Sequence, residues 1–280
     1  MTDTDQQSGG PRTLSVRHVT RYGYEPPVAG AAMRLRLWPS AFDTQAVHDW
    51  TVTVAGEPVT PNLTDGCGVA EAVWHGEGAF QAIEVIAEGT VTRAEDNGVV
   101  RGLKERTPAG VFVRATALTT PDQAIRELAE GARRDDALDT LHTLAGAVRD
   151  AVDYQPDTTD MATSAAGALA QGAGVCQDHA HVFIAAARTL GLPARYVAGY
   201  YTGGQDEGLT ETHGWAEGFA PGLGWVGFDV ANRTCPTRDH VRVVCALDAG
   251  RAALISGALQ GHAEETLTAS VAMAQAQSQQ

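Results

Sequence analysis

The feature that most constrains this chain is the run Gly172-Ala173-Gly174-Val175-Cys176-Gln177-Asp178-His179-Ala180-His181, where a glycine-punctuated loop delivers a cysteine directly into an apolar pattern. Ala180, Phe183, Ile184, Ala187 and Leu190 recur at the spacing of one helix face. Gly191-Leu192-Pro193 then supplies the stop, a glycine followed shortly by a proline. The spacing predicts a helix with Cys176 at or just before its first turn. Unpaired backbone N–H groups and the positive end of the helix dipole favour thiolate over thiol there, and the thiolate is the nucleophilic form. A small buried apolar cysteine is the competing reading, and this stretch alone leaves both open.

Partners for such a cysteine lie farther along. Two strand-like runs, Thr212 to Phe219 and Trp225 to Val230, flank Ala220-Pro221-Gly222-Leu223-Gly224, a five-residue hairpin connection. If Phe219 pairs with Trp225, Trp215 faces Asp229 and His213 faces Ala231. His213 and Asp229 then become diagonal neighbours on one face, roughly 7–8 Å apart between backbones, which side chains bridge. A shift of one residue would put them on opposite faces. A carboxylate that accepts from one imidazole nitrogen leaves the other nitrogen for an incoming nucleophile. Taken singly, His213 reads as a satisfied strand residue and Asp229 as a sheet-end carboxylate. Together with a cysteine at a helix start, they meet three independent requirements of a Cys-His-Asp triad.

Metal binding is the rival reading, since Cys176, Asp178, His179 and His181 are crowded together. On a helix His179 and His181 stand about 200° apart at roughly 100° per residue, without the shared face of an i, i+4 pair. Zinc is therefore not expected. His179 and His181 are read as helix-surface or supporting residues, and Asp178 as a first-turn acid that complements the dipole. No Asp-rich calcium loop occurs either, so neither a metal nor another cofactor is expected.

Around these motifs the chain divides by periodicity. Residues 1–11 read as a disordered polar tail. From Leu14 strand signals dominate: Met33, Leu35 and Leu37 alternate with Arg34 and Arg36, and Trp50, Val52 and Val54 alternate with threonines. Ile83, Val85 and Ala87 continue the pattern. Turns are expected at Glu25-Pro26-Pro27, Gly56-Glu57-Pro58 and Asp65-Gly66. This predicts an antiparallel sandwich-like β domain over 12–118, in which nothing looks chemical: His18, His48 and His75 read as core or surface, and Cys67 as loop. Helical spacing appears at 122–131 and from Leu138 to Asp153, opening a second domain over 119–245. A short helix at Ala165–Ala170, a strand at Arg195–Tyr201 and a flexible loop at Thr202–Glu211 follow. The C-terminal segment, 246–280, carries one expected strand, with Leu267, Ala269, Val271 and Met273 alternating. That strand is expected to return to the first sheet.

Composition narrows the function classes. With 280 residues, 44% hydrophobic and 19% charged, the chain has material for two globular domains. A formal net charge of −14 argues against a general nucleic-acid or acidic-membrane binder. No apolar run approaches the roughly 18–20 residues of a membrane span, and Met1 to Gly10 lack the character of a secretory signal. Cys67, Cys176, Cys235 and Cys245 are scattered, which favours reduced thiols in a cytoplasmic setting over a disulfide framework.

The run Gly174 to His181, then Arg188-Thr189-Leu190-Gly191-Leu192-Pro193-Ala194-Arg195-Tyr196-Val197-Ala198-Gly199-Tyr200, resembles the core of the bacterial transglutaminase-like family. So do His213-Gly214-Trp215-Ala216-Glu217 and Gly222 to Asp229, with Thr163-Ser164-Ala165-Ala166 and Asp239-His240-Val241-Arg242-Val243 farther out. The first domain, with Tyr22 and Pro39, is similar to the β-rich region that accompanies such cores. The resemblance implies an α+β fold, a papain-like transglutaminase core in which a cysteine helix packs on an antiparallel sheet. It implies Cys176 as nucleophile, His213 as general base and acid, and Asp229 as the residue orienting it. The sequence departs from the family at His179, usually aromatic, at Gly214, usually alanine, and at Val230-Ala231, usually proline-threonine.

Residues and resemblance together lead us to expect acyl transfer on a peptide or protein amide through a thioester, leaning to hydrolysis. Transamidation and a non-catalytic peptide-binding scaffold are the alternatives. The Cys176 backbone N–H is expected in an oxyanion hole, with Tyr154 or Gln177 as the second donor. Trp215 or Trp225 is expected to shelter the thioester from water.

Overall fold

The computed structural model describes residues 10–203, 207–210 and 212–276. The expected polar tail, but for its last two residues, and parts of the expected loop at 202–211 lie outside the described residues. The first half runs β1 (Arg12–Leu35), β2 (Gln45–Val54), β3 (Glu57–Pro58), β4 (Leu63–Thr64), β5 (Ala70–Arg93) and β6 (Val99–Val100). Then come α1 (Gln123–Ala132), α2 (Ala137–Ala151), β7 (Asp153–Tyr154), α3 (Ala165–Gln171), β8 (Ala173–Gly174) and α4 (Cys176–Thr189). The chain closes with β9 (Ala194–Tyr201), β10 (Glu207–Thr210), β11 (Thr212–Ala220), β12 (Gly224–Phe228), β13 (His240–Ala246), β14 (Ile255–Gln260) and β15 (Glu264–Gln275).

The first sheet is built on two antiparallel strands of 24 residues each, β1 and β5, paired from Arg12 with Arg93 to Leu35 with Ala72. Its order is β10-β15-β1-β5-β2-β3, with β14 also on β1 and β4 on β5. Leu14, Val16, His18 and Thr20 point inward while Ser15 and Arg17 face out, the period-two pattern the sequence predicts. Glu25-Pro26-Pro27 is not the expected turn. The strand continues through it, and the ladder with β5 slips register between Gly23 and Val28. Prolines lack the N–H a ladder needs, and here the chain bulges instead of reversing. The expected turn near Gly56 is present, with Ala55 and Gly56 in the left-handed region.

The C-terminal segment places two strands on this sheet, β14 along Gly30–Leu35 and β15 along Leu14–Glu25. Glu207–Thr210, expected within a loop, is instead strand β10 on the outer edge of β15. Its backbone pairs with a strand far along the chain, a long-range preference that local composition does not carry.

The second sheet is antiparallel, in the order β13-β9-β11-β12-β6. Phe219 pairs with Trp225 and Ala216 with Phe228, the hairpin register read from the sequence. Val99 and Val100, expected in the first domain, add an edge to β12. Helix α4 packs on β9 and β11 and is covered by α1, α2 and α3. It is consequently buried all round, from Gln177 to Arg188, rather than on one face. The three consecutive alanines Ala185–Ala187 let sheet and helices approach from opposite sides.

Buried charge ties the sheets together. Glu217 on β11 is fully buried and accepts from Arg195 Nε at 2.6 Å and from Arg242 Nε at 2.7 Å. Arg242 Nη1 also donates to Ser40 Oγ at 2.8 Å, and Arg195 Nη1 donates to Glu105 Oε2 at 2.5 Å. Burial alone would raise the Glu217 carboxyl, but the two guanidinium groups outweigh it and hold the pKa at about 2.

Candidate active site

Cys176 occupies the first turn of α4, where the sequence places it. The turn is shaped by Asp178, whose Oδ2 accepts from the Val175 N–H at 2.8 Å and from Thr159 Oγ1 at 2.6 Å. This satisfies a backbone donor at the helix start, a more specific role than complementing the dipole. Gly174 is glycine for a steric reason: a Cβ there would lie 2.7 Å from Asp178 Cβ and Oδ2.

His213 lies on β11, and Asp229 follows directly after β12. His213 Nε2 donates to Asp229 Oδ2 at 2.8 Å. Nδ1 is then the ring nitrogen open to Cys176. Burial lowers the His213 pKa, but the hydrogen bonds with Asp229 and Cys176, together with their charges, carry it up to about 10. Asp229 is fully buried, which would raise its carboxyl, yet bonds from His213 and His240 hold it well below the usual carboxylate range. The helix start, β11 and the end of β12 therefore bring the three expected residues to one place.

The carboxylate has more partners than the sequence suggests. His240, at the start of β13, donates from Nε2 to Asp229 Oδ2 at 3.0 Å while its Nδ1 accepts from the Thr237 N–H at 3.0 Å. Asn232 Nδ2 donates to the same oxygen at 2.7 Å. The Tyr201 ring stacks on His240 with centroids 4.2 Å apart. His240 stands two strands from His213, beyond the reach of a hairpin argument. Its signal in the sequence is its place at the head of the valine-rich strand Val241-Arg242-Val243-Val244. The ligand atoms of His213, Asp229 and His240 lie within 4.8 Å of one another. Both imidazole nitrogens sit at hydrogen-bond distance from one oxygen, closer than ligands held at about 2.0–2.2 Å around a tetrahedral ion. The cluster is a hydrogen-bond network.

A cleft of about 950 Å³ opens at Cys176 and His213. One wall is the second sheet and the start of α4. The other is the first sheet, through His18, Thr20, Tyr22 and Leu267, so the β-rich half that seemed chemically silent borders the site. His18 spans the join, with Nδ1 at 3.0 Å from Tyr200 Oη and Nε2 at 3.0 Å from Thr20 Oγ1, and burial lowers its pKa to about 4.

The remaining candidates separate clearly. Tyr154 and Gln177 line the cleft, Tyr154 being 48% exposed and the Gln177 amide nitrogen lying 3.5 Å from Asp160 O. Trp215 and Trp225 are absent from its lining. Trp215 packs beneath His240 with centroids 5.5 Å apart, and Trp225 stacks on Arg195 at 3.8 Å and donates to Glu105 at 2.7 Å. Both serve packing: Trp215 shares the His213 face of β11 but is covered by Gly199 and His240, and Trp225 is enclosed by Arg195 and Phe112. His179 and His181, expected as helix-surface or supporting residues, are fully buried, which rules out the surface position. His179 lies between the Val175 and Val152 carbonyls at 2.8 and 2.9 Å, and the Ala249 N–H donates to His181 Nε2 at 3.0 Å. All four cysteines are free. Among the described residues no helix is long and apolar enough to cross a membrane.

Comparison with known proteins matches residues 124–230 to the transglutaminase-like superfamily and residues 14–92 to the bacterial transglutaminase-like N-terminal region. An uncharacterised protein of Mycobacterium leprae is 24% identical over 89% of this chain and 93% of its own length. An uncharacterised Mycobacterium tuberculosis protein is 24% identical over 80% of each chain. The crystal structure of a candidate cysteine protease from Cytophaga hutchinsonii superposes with a TM-score of 0.75 at 19% identity, covering 97% of this chain and 93% of that one.

Proposed function

Because the chain belongs to the transglutaminase-like superfamily, we propose that it is a cysteine-dependent acyl-transfer enzyme that hydrolyses peptide or protein amides through a thioester on Cys176. The observation that carries this reading is the His213 ring held between two partners. Nε2 is committed to Asp229 at 2.8 Å, which leaves Nδ1 for Cys176 in the cleft that both residues line.

The chemistry follows from those positions. Cys176 gives its proton to His213 Nδ1 and attacks the amide carbonyl as a thiolate, and the carbonyl electron pair moves onto oxygen. Collapse of the tetrahedral species expels the amine, which takes its proton from His213. Water, deprotonated by the neutral His213, then attacks the thioester and releases the acid and the thiol. Asp229 keeps one tautomer and one ring orientation throughout. The open cleft between the two sheets, with exposed Leu267 and Met161 at its border, suits an extended peptide segment.

The test is a defined peptide mixture incubated with the full chain and with Cys176→Ala, followed by mass spectrometry. The proposal expects cleaved or deamidated peptides with the native protein alone. Activity that survives in Cys176→Ala contradicts it. Adding a primary amine separates the two outcomes of acyl transfer: a new amide adduct in preference to the acid would reassign the protein to transamidation.

A further inference from the structure

One polar group in the cleft is left without a task by the triad. Tyr196, on β9, is 6% exposed and lines the same cleft as Cys176 and Gly214. Its hydroxyl makes no hydrogen bond among the described residues. It occupies the space a side chain at position 214 would need: a Cβ on Gly214 would stand 1.9 Å from Tyr196 Oη and 2.6 Å from Cζ. The ring is fixed from the other side by His181 on α4, with centroids 5.4 Å apart. Burial, then the charges of Cys176 and Asp178, push the phenol well above its ordinary pKa, which keeps it an O–H donor. An unpartnered hydroxyl in the cleft that holds the nucleophile, on a rigid strand next to the residue that follows His213, is an arrangement for receiving something from the substrate.

We propose that Tyr196 is a catalytic residue that donates its hydroxyl hydrogen bond to the substrate's acyl oxygen, alongside the backbone N–H of Cys176, and that glycine at position 214 is what admits it. The proposal rests on the acyl-transfer reading. As the Cys176 thiolate adds to the carbonyl carbon, the C=O π pair becomes an oxyanion, which accepts from Tyr196 without taking its proton. The tetrahedral species then reforms the carbonyl and expels the leaving group protonated by His213. Tyr196 has the advantage over both earlier candidates: Tyr154 is half exposed, and Gln177 turns its amide towards Asp160.

Two reactions of the same sulfur separate this role from a structural one. Acetylation by p-nitrophenyl acetate passes through an oxyanion; alkylation by iodoacetamide displaces iodide at a saturated carbon and does not. Tyr196→Phe removes one oxygen that bonds nothing and is expected to slow acetylation of Cys176 about a hundredfold or more. Alkylation should stay within about threefold, as no oxyanion donor is involved. Gly214→Ala, which forces the tyrosine ring aside, should give the same split. Unchanged acetylation in both variants, or acetylation and alkylation falling together, overturns the proposal. If Cys176 of the native chain is not acetylated faster than Cys67, the acyl-transfer reading itself fails, a result distinct from failure of the Tyr196 role alone.

Discussion

His240 Nε2 lies 3.0 Å from Asp229 Oδ2, the same oxygen that His213 reaches at 2.8 Å, so one buried carboxylate orients two imidazoles. A hydrogen bond to a charged group is worth about 1.5–3 kcal/mol. His240→Phe keeps a ring against Tyr201 but removes that bond. We expect a loss of roughly that size in urea denaturation, and turnover reduced about tenfold, since one tenfold step corresponds to about 1.4 kcal/mol. Unchanged stability and turnover would show that Asp229 does not need its second histidine.

The Asp229 carboxylate also sets the protonation of His213. With a pKa of about 10 against an ordinary 6.5, protonated His213 adds stability that is fully present below pH 6.5 and lost as pH rises through about 10. Melting temperatures should therefore fall between pH 7 and pH 10 in the native chain, and fall less in His213→Gln. Asp229→Asn should move the basic limb of the activity profile to lower pH and cut turnover by about 10²–10⁴-fold, the range for losing the group that fixes the tautomer. A basic limb that stays in place would separate Asp229 from the titration of His213.

Glu217 supports the sheet behind the site. Glu217→Gln leaves the buried Arg195 and Arg242 without their shared counter-charge, and removing one partner of a buried ion pair costs about 3–5 kcal/mol. Chemical denaturation should register that loss. A change under about 1 kcal/mol would mean the cluster is neutralised in another way.

The turn that presents Cys176 depends on the contact between Gly174 and Asp178. Gly174→Ala drives a Cβ into the carboxylate and should detach it from the Val175 N–H, costing about 1 kcal/mol as a lost helix cap. The expected reading is slower alkylation of Cys176 together with a lower melting temperature. An unaltered alkylation rate would show that the turn holds without Asp178.

Much of this arrangement is readable in the sequence because it rests on local periodicity. The helix start at Cys176 and the pairing of Phe219 with Trp225 follow from spacing alone, and together they bring His213 to Asp229. What escapes reading depends on distant partners. His240 reaches Asp229 across the two strands that separate β13 from β12, and His179 and His181 are buried only because three helices cover α4. Pro26 and Pro27 look like a turn locally, but β1 bulges there and regains its pairing with β5 at Val28. The cleft wall formed by His18, Thr20 and Tyr22 exists because β1 reaches across to the second sheet, and no motif in β1 announces it.

The central claim is that His213 activates Cys176, and the rate of iodoacetamide labelling at each cysteine, followed by peptide mass across pH, tests it most directly. Cys245 is an internal control: its hydrogen bond with Cys67 and the charges of Arg195 and Arg242 outweigh burial and bring its pKa to about 6, yet it is 1% exposed. The account predicts that Cys176 is labelled fastest at pH 7 and that His213→Ala removes this advantage. Labelling of Cys176 no faster than Cys67, Cys235 or Cys245, or a rate indifferent to His213→Ala, would contradict it.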